Sequence, residues 1–252
     1  MIRWVFLDAG NLIFNDDPLM AFVYGMIYEE IHLRLPKFIF EDLMAEAERL
    51  IMENQYGDFR TLGLRFLDEK SWKNLNQKIQ KHLNCSYPSL NPPLPGAKEM
   101  LYALNERYKL ALAANQIRAC RDSLKRHGLL SFFSILGISE EMGVSKPDPV
   151  FFLKLLGMAN CSPGEAVMIG DRIDNDIVPA KKLGMRTIRV KLSSEKKGFS
   201  PQTDYERAYL ESLNRTNLSL KDPEGQVEKP DLTIADLGDI PLAVERLGKS
   251  LA

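Results

Sequence analysis

The sequence predicts an α/β fold: a parallel sheet with helices on both faces, interrupted near its start by an inserted all-helical segment. Two observations carry this expectation. From about residue 93 onward, short apolar runs alternate with helical stripes, the pattern of strand–helix–strand units. Between residues 15 and 92 the pattern is helical and strand-poor.

The elements follow in order. Arg3 to Leu7 is an apolar run that ends at an acid, and reads as a buried strand with Asp8 at its carboxyl end. Glu41 to Met52 places Leu43, Met44, Ala47, Leu50 and Ile51 on one helical face. Leu62 to Leu67 and Trp72 to Leu83 predict two further helices. Pro88 to Pro95 holds four prolines in eight residues and reads as a linker. Beyond it, Ala97, Met100, Leu101 and Leu104 make a helical stripe, Leu110 to Ala114 a strand, and Ile117 to His127 a helix stopping at Gly128. Phe132 to Ile138 is the next strand. Asp148 and Pro149 supply an N-cap and a first residue for a helix through Leu156. Ala166 to Ile169 predicts a strand, Ile177 to Leu183 a helix closed by Gly184, and Thr187 to Val190 and Leu232 to Ala235 two more strands. Residues 193–230 are long for a connection between strands and read as an insertion into the core. Within them, Thr203-Asp204-Tyr205-Glu206 fits a capping box for a short helix lined by Tyr205, Ala208, Tyr209 and Leu213.

Composition narrows the class. In 252 residues, 45% are apolar and 27% charged, as in ordinary globular proteins. Lys and Arg number 33 against 34 Asp and Glu, so the balance gives no electrostatic case for nucleic acid or an anionic membrane. Cys85, Cys120 and Cys161 are few and scattered, which fits a reducing compartment and argues against thiolate metal ligation. No apolar run approaches a membrane span, and the apolar stretch before Asp8 is too short for a signal peptide. A cytoplasmic location is expected.

Four segments carry chemistry: Phe6-Leu7-Asp8-Ala9-Gly10-Asn11-Leu12, Leu112-Ala113-Ala114-Asn115-Gln116, Gly143-Val144-Ser145-Lys146-Pro147-Asp148-Pro149, and Val167-Met168-Ile169-Gly170-Asp171-Arg172-Ile173-Asp174-Asn175-Asp176. Taken singly, each has an ordinary reading: a strand-end Asp is commonly a turn residue or cap, and a lone lysine a solvated one. Three of the segments follow predicted strands, and ligands in parallel sheets bind beyond the carboxyl ends of strands.

In this order and spacing the segments resemble the haloacid dehalogenase (HAD) superfamily of phosphotransferases and hydrolases. The resemblance spans residues 1–14 and about 93–192, with a weaker tail near 231–247. It implies a Rossmann-like core from residues 1–14 and 93–252, with a helical cap, residues 15–92, lying as a lid over the strand ends. It further implies that Asp8 is a nucleophile that becomes an aspartyl-phosphate. Mg²⁺ would be held by Asp8, the Gly10 carbonyl and Asp171, with Asp176 behind them. Lys146 would offset the repulsion between Asp8 and the substrate phosphate, and backbone groups around Ala9, Gly10, Ala114 and Asn115 would receive phosphate oxygens. The substrate class implied is a small phosphorylated metabolite.

The chain departs from the family pattern at two places that matter. Gly10 stands where family phosphatases commonly carry a second Asp, the acid and base of the reaction. Ala114 stands where a Thr or Ser usually bonds phosphate. A general acid or base is worth roughly 10²–10⁴ in rate. Three readings follow: a Mg²⁺-dependent phosphatase, a catalytically weak relative that binds a ligand or partner, and a 2-haloacid dehalogenase-type hydrolase. The last has little use for the metal that Asp171 and Asp176 imply.

Overall fold

A computed structural model describes residues 1–53, 59–216 and 229–249. Six strands make one sheet: β1 (Trp4–Leu7), β2 (Lys109–Ala114), β3 (Phe133–Ile138), β4 (Ala166–Gly170), β5 (Arg186–Val190) and β6 (Leu232–Ile234). Their order is β3-β2-β1-β4-β5-β6, and every pairing is parallel. This is the doubly wound order of Rossmann-like folds, and the winding reverses at β1. The expected fold class holds.

Strands β1 and β4 are buried along their whole length, and β2 from its second residue onward. A strand covered on both faces has no solvent side, so these read as unbroken apolar runs. On one face Trp4, Phe6, Ala111, Ala113 and Met168 meet Phe151, Phe152, Leu155 and Leu156. Those four come from a helix over Pro149–Ala159, capped as expected by the Asp148 side chain, which accepts from the Val150 N–H at 2.8 Å.

The chain divides into two units. The first joins Met1–Asn15 and Pro92–Gly198 to β6 and the C-terminal helix. Its helices are Ala97–Asn105, Ala119–Arg126, Ser139–Met142, Pro149–Ala159, Val178–Lys182, Ser194–Lys197 and Ile240–Lys249. Edge strand β6 is fastened by Asp231, whose Oδ2 accepts from the Thr187 N–H at 2.8 Å and Oγ1 at 3.0 Å, while Oδ1 accepts from Lys181 at 3.1 Å.

Among its described residues the second unit has helices and no strand. It holds α1 (Asp17–His32), α2 (Phe40–Met52), α3 (Phe59–Leu64) and α4 (Glu69–Leu90). The two ends of this stretch are tied: Asn91 Nδ2 donates to Asp16 Oδ1 at 2.6 Å. Helix α4 overrides the linker expected from Pro88. Its buried stripe Trp72, Leu75, Ile79, Leu83 continues to Tyr87, and that burial carries the helix past the proline, so the linker starts at Asn91.

The expectation for residues 193–230 is corrected in part. The stretch from Phe199 through the helix Asp204–Thr216 belongs to the helical unit and not to the core. The expected capping box is present: Glu206 N–H donates to Thr203 Oγ1 at 3.1 Å, and Thr203 N–H to Glu206 Oε2 at 3.0 Å. Packing is aromatic. Tyr205 stacks on Phe40 with centroids 4.9 Å apart, and Tyr209 lies 5.9 Å from Tyr24. Tyr209 also donates to the buried Asp17 Oδ1 at 3.1 Å, and Arg215 pairs with Glu48 at 2.7 Å. Residues 217–228 of the expected insertion lie outside the described residues.

Candidate active site at the carboxyl edge of the sheet

The register pairs Leu7 with Leu112 on one side and Ile169 on the other. The residues after β1, β2 and β4 therefore leave the sheet along one edge, where the winding reverses. After β1 the chain folds on itself: the N–H groups of Ile13 and Phe14 both donate to the Ala9 carbonyl at 2.9 Å, and Asn11 N–H to the Phe14 carbonyl at 2.8 Å. Asn11 takes a left-handed conformation, φ 53°, which Asn tolerates better than most residues.

Lys146 is buried and its ammonium bridges two carboxylates, Asp8 Oδ1 at 2.7 Å and Asp176 Oδ1 at 2.6 Å. Its backbone is gripped from both sides by the Asn115 carboxamide: Lys146 N–H donates to Oδ1 at 2.8 Å, and Nδ2 donates to the Lys146 carbonyl at 2.7 Å. Asp176 sits on a π turn, Ile173–Ile177, directly after the Asp171 loop. Its second oxygen, Oδ2, accepts from the Arg172 N–H at 3.0 Å. Asp171 Oδ2 accepts from Asn11 Nδ2 at 3.2 Å.

Burial pushes the Asp176 carboxyl up to about 7; the Lys146 charge works against this, and the neighbouring Asp8 and Asp171 work with it. Burial alone would lower the Lys146 ammonium, but the two carboxylates outweigh it and hold the pKa above the ordinary value.

Asp8, Asp171 and Asp176 each offer an oxygen, and these oxygens lie within 4.8 Å of one another. Three carboxylates converge there, two of them on the Lys146 ammonium, and the donors are all hard oxygens. Such a set fits a divalent cation of the Mg²⁺ kind.

Of the residues expected at the site, the structure brings Asp8, Lys146, Asp171, Asp176 and Asn115 together. Ala9, Gly10 and Ala114 are buried beside them on the same edge. The Asn115 side chain grips Lys146, and both Asp176 oxygens are engaged by protein donors, so Asp176 fixes Lys146 and the loop. Arg172 pairs with Asp174. Two residues escaped the sequence reading. Asn11 reaches Asp171. Arg189, fully buried in β5, directs Nε toward the Asp171 carbonyl at 3.4 Å. Its signal was visible: an arginine inside an apolar strand.

Similarity to known proteins agrees with this geometry. The family profile of haloacid dehalogenase-like hydrolases matches residues 33–190. The chain is 44% identical over 199 residues to the glyceraldehyde 3-phosphate phosphatase of Methanocaldococcus jannaschii, covering 75% of this chain and 85% of that protein. It is 28% identical over 190 residues to the pyrimidine 5'-nucleotidase YjjG of Escherichia coli, covering 73% and 84%. Among solved structures, the HAD hydrolase YfnB of Bacillus subtilis, bound to magnesium, superposes with a TM-score of 0.65 at 17% identity over 96% of this chain and 98% of that one. With the Asp–Lys–Asp arrangement at the switch point of a doubly wound sheet, these matches identify the chain as a member of the haloacid dehalogenase-like hydrolases.

Proposed function

We propose that the protein is a Mg²⁺-dependent phosphatase that acts on a small phosphorylated metabolite through an aspartyl-phosphate on Asp8. The observation that carries this reading is the Lys146 ammonium, 2.7 Å from Asp8 and 2.6 Å from Asp176, two carboxylates whose oxygens lie within 4.8 Å of an Asp171 oxygen. The relatives named for phosphate ester hydrolysis support the substrate class.

In the first step an Asp8 oxygen attacks phosphorus, and the bond from phosphorus to the leaving oxygen breaks. Lys146 holds the Asp8 rotamer and offsets charge between carboxylate and phosphate. Asp8, Asp171 and the Gly10 carbonyl would hold the metal, with Asp176 supporting them; when bound, Mg²⁺ supplies further neutralisation of the phosphoryl oxygens. Gly10 offers no proton to the leaving group, so substrates with good leaving groups are favoured: acyl phosphates, aryl phosphates and sugar 1-phosphates.

The test is a panel of acetyl phosphate, p-nitrophenyl phosphate, triose phosphates and nucleoside 5'-monophosphates, assayed with and without Mg²⁺. Phosphate release is expected only with Mg²⁺ and is lost in Asp8→Asn. Calorimetric Mg²⁺ binding is expected in the wild type and lost in Asp171→Ala. Equal metal binding in both proteins, with no phosphate release from any substrate, would replace this reading with that of a weak, ligand-binding relative.

A further inference from the structure

A charge buried inside a strand calls for a use, because a neutral side chain would fill the same space without giving up a charged group's hydration. Arg189 is such a charge, fully buried within β5. We infer that Arg189 is a positioning residue for the metal site: its guanidinium holds the Asp171 backbone and so fixes where the Asp171 carboxylate meets Mg²⁺. The inference rests on the metal site of the phosphatase reading above.

Three observations lead there. The first is register. The β4–β5 ladder ends with Gly170 opposite Arg189, and Asp171 is the next residue. The ladder stops one residue short of the carboxylate that the site requires. The second is side. Partners in a parallel ladder point their side chains to the same face of the sheet. The Asp176 carboxylate fills the space that a side chain at residue 170 would take. Arg189 therefore rises on the face over which Asp176 leans, beside the site and not on the far side of the sheet. The third is contact. Arg189 Nε donates to the Asp171 carbonyl at 3.4 Å, while Asn11 Nδ2 donates to Asp171 Oδ2 at 3.2 Å. Asp171 is thus held by its backbone and by its carboxylate. The Arg189 bond is long, but it is charge-assisted and buried, and both conditions strengthen a hydrogen bond.

Charge alone would make Arg189 a poor neighbour for a metal, since a guanidinium repels a cation. The gain is geometric. A carboxylate on an unanchored loop residue spends part of its time turned from the metal, and affinity falls by the fraction of time lost. Groups that hold a metal-binding residue from behind typically change metal affinity by roughly 10–100-fold.

Arg189→Met and Arg189→Gln isolate the bond. Both remove the charge, and both fill the strand with a side chain of similar length. Gln places its Nε2 where arginine has Nε; Met places a methyl group there, with nothing to donate. Calorimetric titration with Mg²⁺ would measure affinity in the full chain, and thermal unfolding without metal would follow the fold. The expected result is Mg²⁺ affinity weaker by roughly 10–100-fold in Arg189→Met and within a few-fold of wild type in Arg189→Gln. A loss of stability common to both leaves that comparison intact. Should either unfold, trimethylamine N-oxide would restore the folded state for the titration. Equal affinities in the two variants would overturn the inference, because the donor would then not matter. So would Arg189→Met binding Mg²⁺ as tightly as wild type or tighter, which would leave Arg189 a filler of the strand or a repelling charge. In both cases the metal site, and the phosphatase reading with it, stands. A wild type that binds no Mg²⁺ would remove the metal site and the inference together.

Discussion

A Cβ atom at residue 170 would lie 2.2 Å from Asp176 Oδ2 and 2.4 Å from its Cγ. The last residue of β4 is therefore glycine so that the Asp176 carboxylate can lean over the strand end and meet Lys146. Gly170→Ala should push that carboxylate off the Lys146 ammonium and the Arg172 N–H. We expect a loss of about 1–3 kcal/mol in stability from overpacking, together with much weaker Mg²⁺ binding. Thermal unfolding and calorimetry on the same variant would check both; unaltered metal binding would show that Asp176 tolerates the displacement. At this scale much was legible beforehand. Asp8, Lys146, Asp171 and Asp176 stood out together, because the order and spacing of their segments resemble a family pattern although each alone has an ordinary reading. The use made of Asn115 was not legible. Whether its side chain or its backbone faces the site depends on how the loop before Lys146 lies across β2, a matter of tertiary folding.

Among the elements, β6 has only three residues, so side chains anchor it as much as its ladder does. Burial alone would raise the Asp231 carboxyl, but hydrogen bonds from Lys181 and Thr187 outweigh it and hold the group below the usual carboxylate range. A carboxyl lowered in the folded state adds stability above its unfolded pKa, and that stability is lost as pH falls through the lowered folded value. The acid limb of stability against pH should therefore flatten in Asp231→Asn, with the loss at neutral pH persisting. Chemical denaturation between pH 3 and 7 would measure it, and a parallel offset at every pH would remove Asp231 from the acid response. Element types were readable from periodicity, and Asp148 with Pro149 marked one helix start to the residue. Pro88 misled because local chemistry said stop while the buried face, ending at Tyr87, said continue.

For the whole molecule, the helical unit is assembled from two stretches far apart in sequence. Tyr209 closes the long-range join with its bond to Asp17. Removing that hydroxyl in Tyr209→Phe leaves a buried carboxylate short of one donor, at a cost of about 1.5–3 kcal/mol. Hydrogen exchange should show protection falling in α1 and in the helix Asp204–Thr216, with β1, β2 and β4 unchanged. A loss spread evenly over the sheet would mean that the two units unfold as one. No local signal could have assigned the helix Asp204–Thr216 to its partners. Its capping box and amphipathic stripe announce a helix and say nothing of which surface receives it.

That divided assembly bears on how the chain is made. Synthesis runs from the amino terminus, and domains fold as their residues emerge. Helices α1 and α2 leave the ribosome early, with the faces of Tyr24, Tyr28 and Phe40 that Tyr205 and Tyr209 later cover. Strands β2 to β5 must all be translated before Tyr205 arrives. In the interval the aromatic faces of α1 and α2 lack the residues that cover them in the folded protein, while the first five strands of the sheet are already translated.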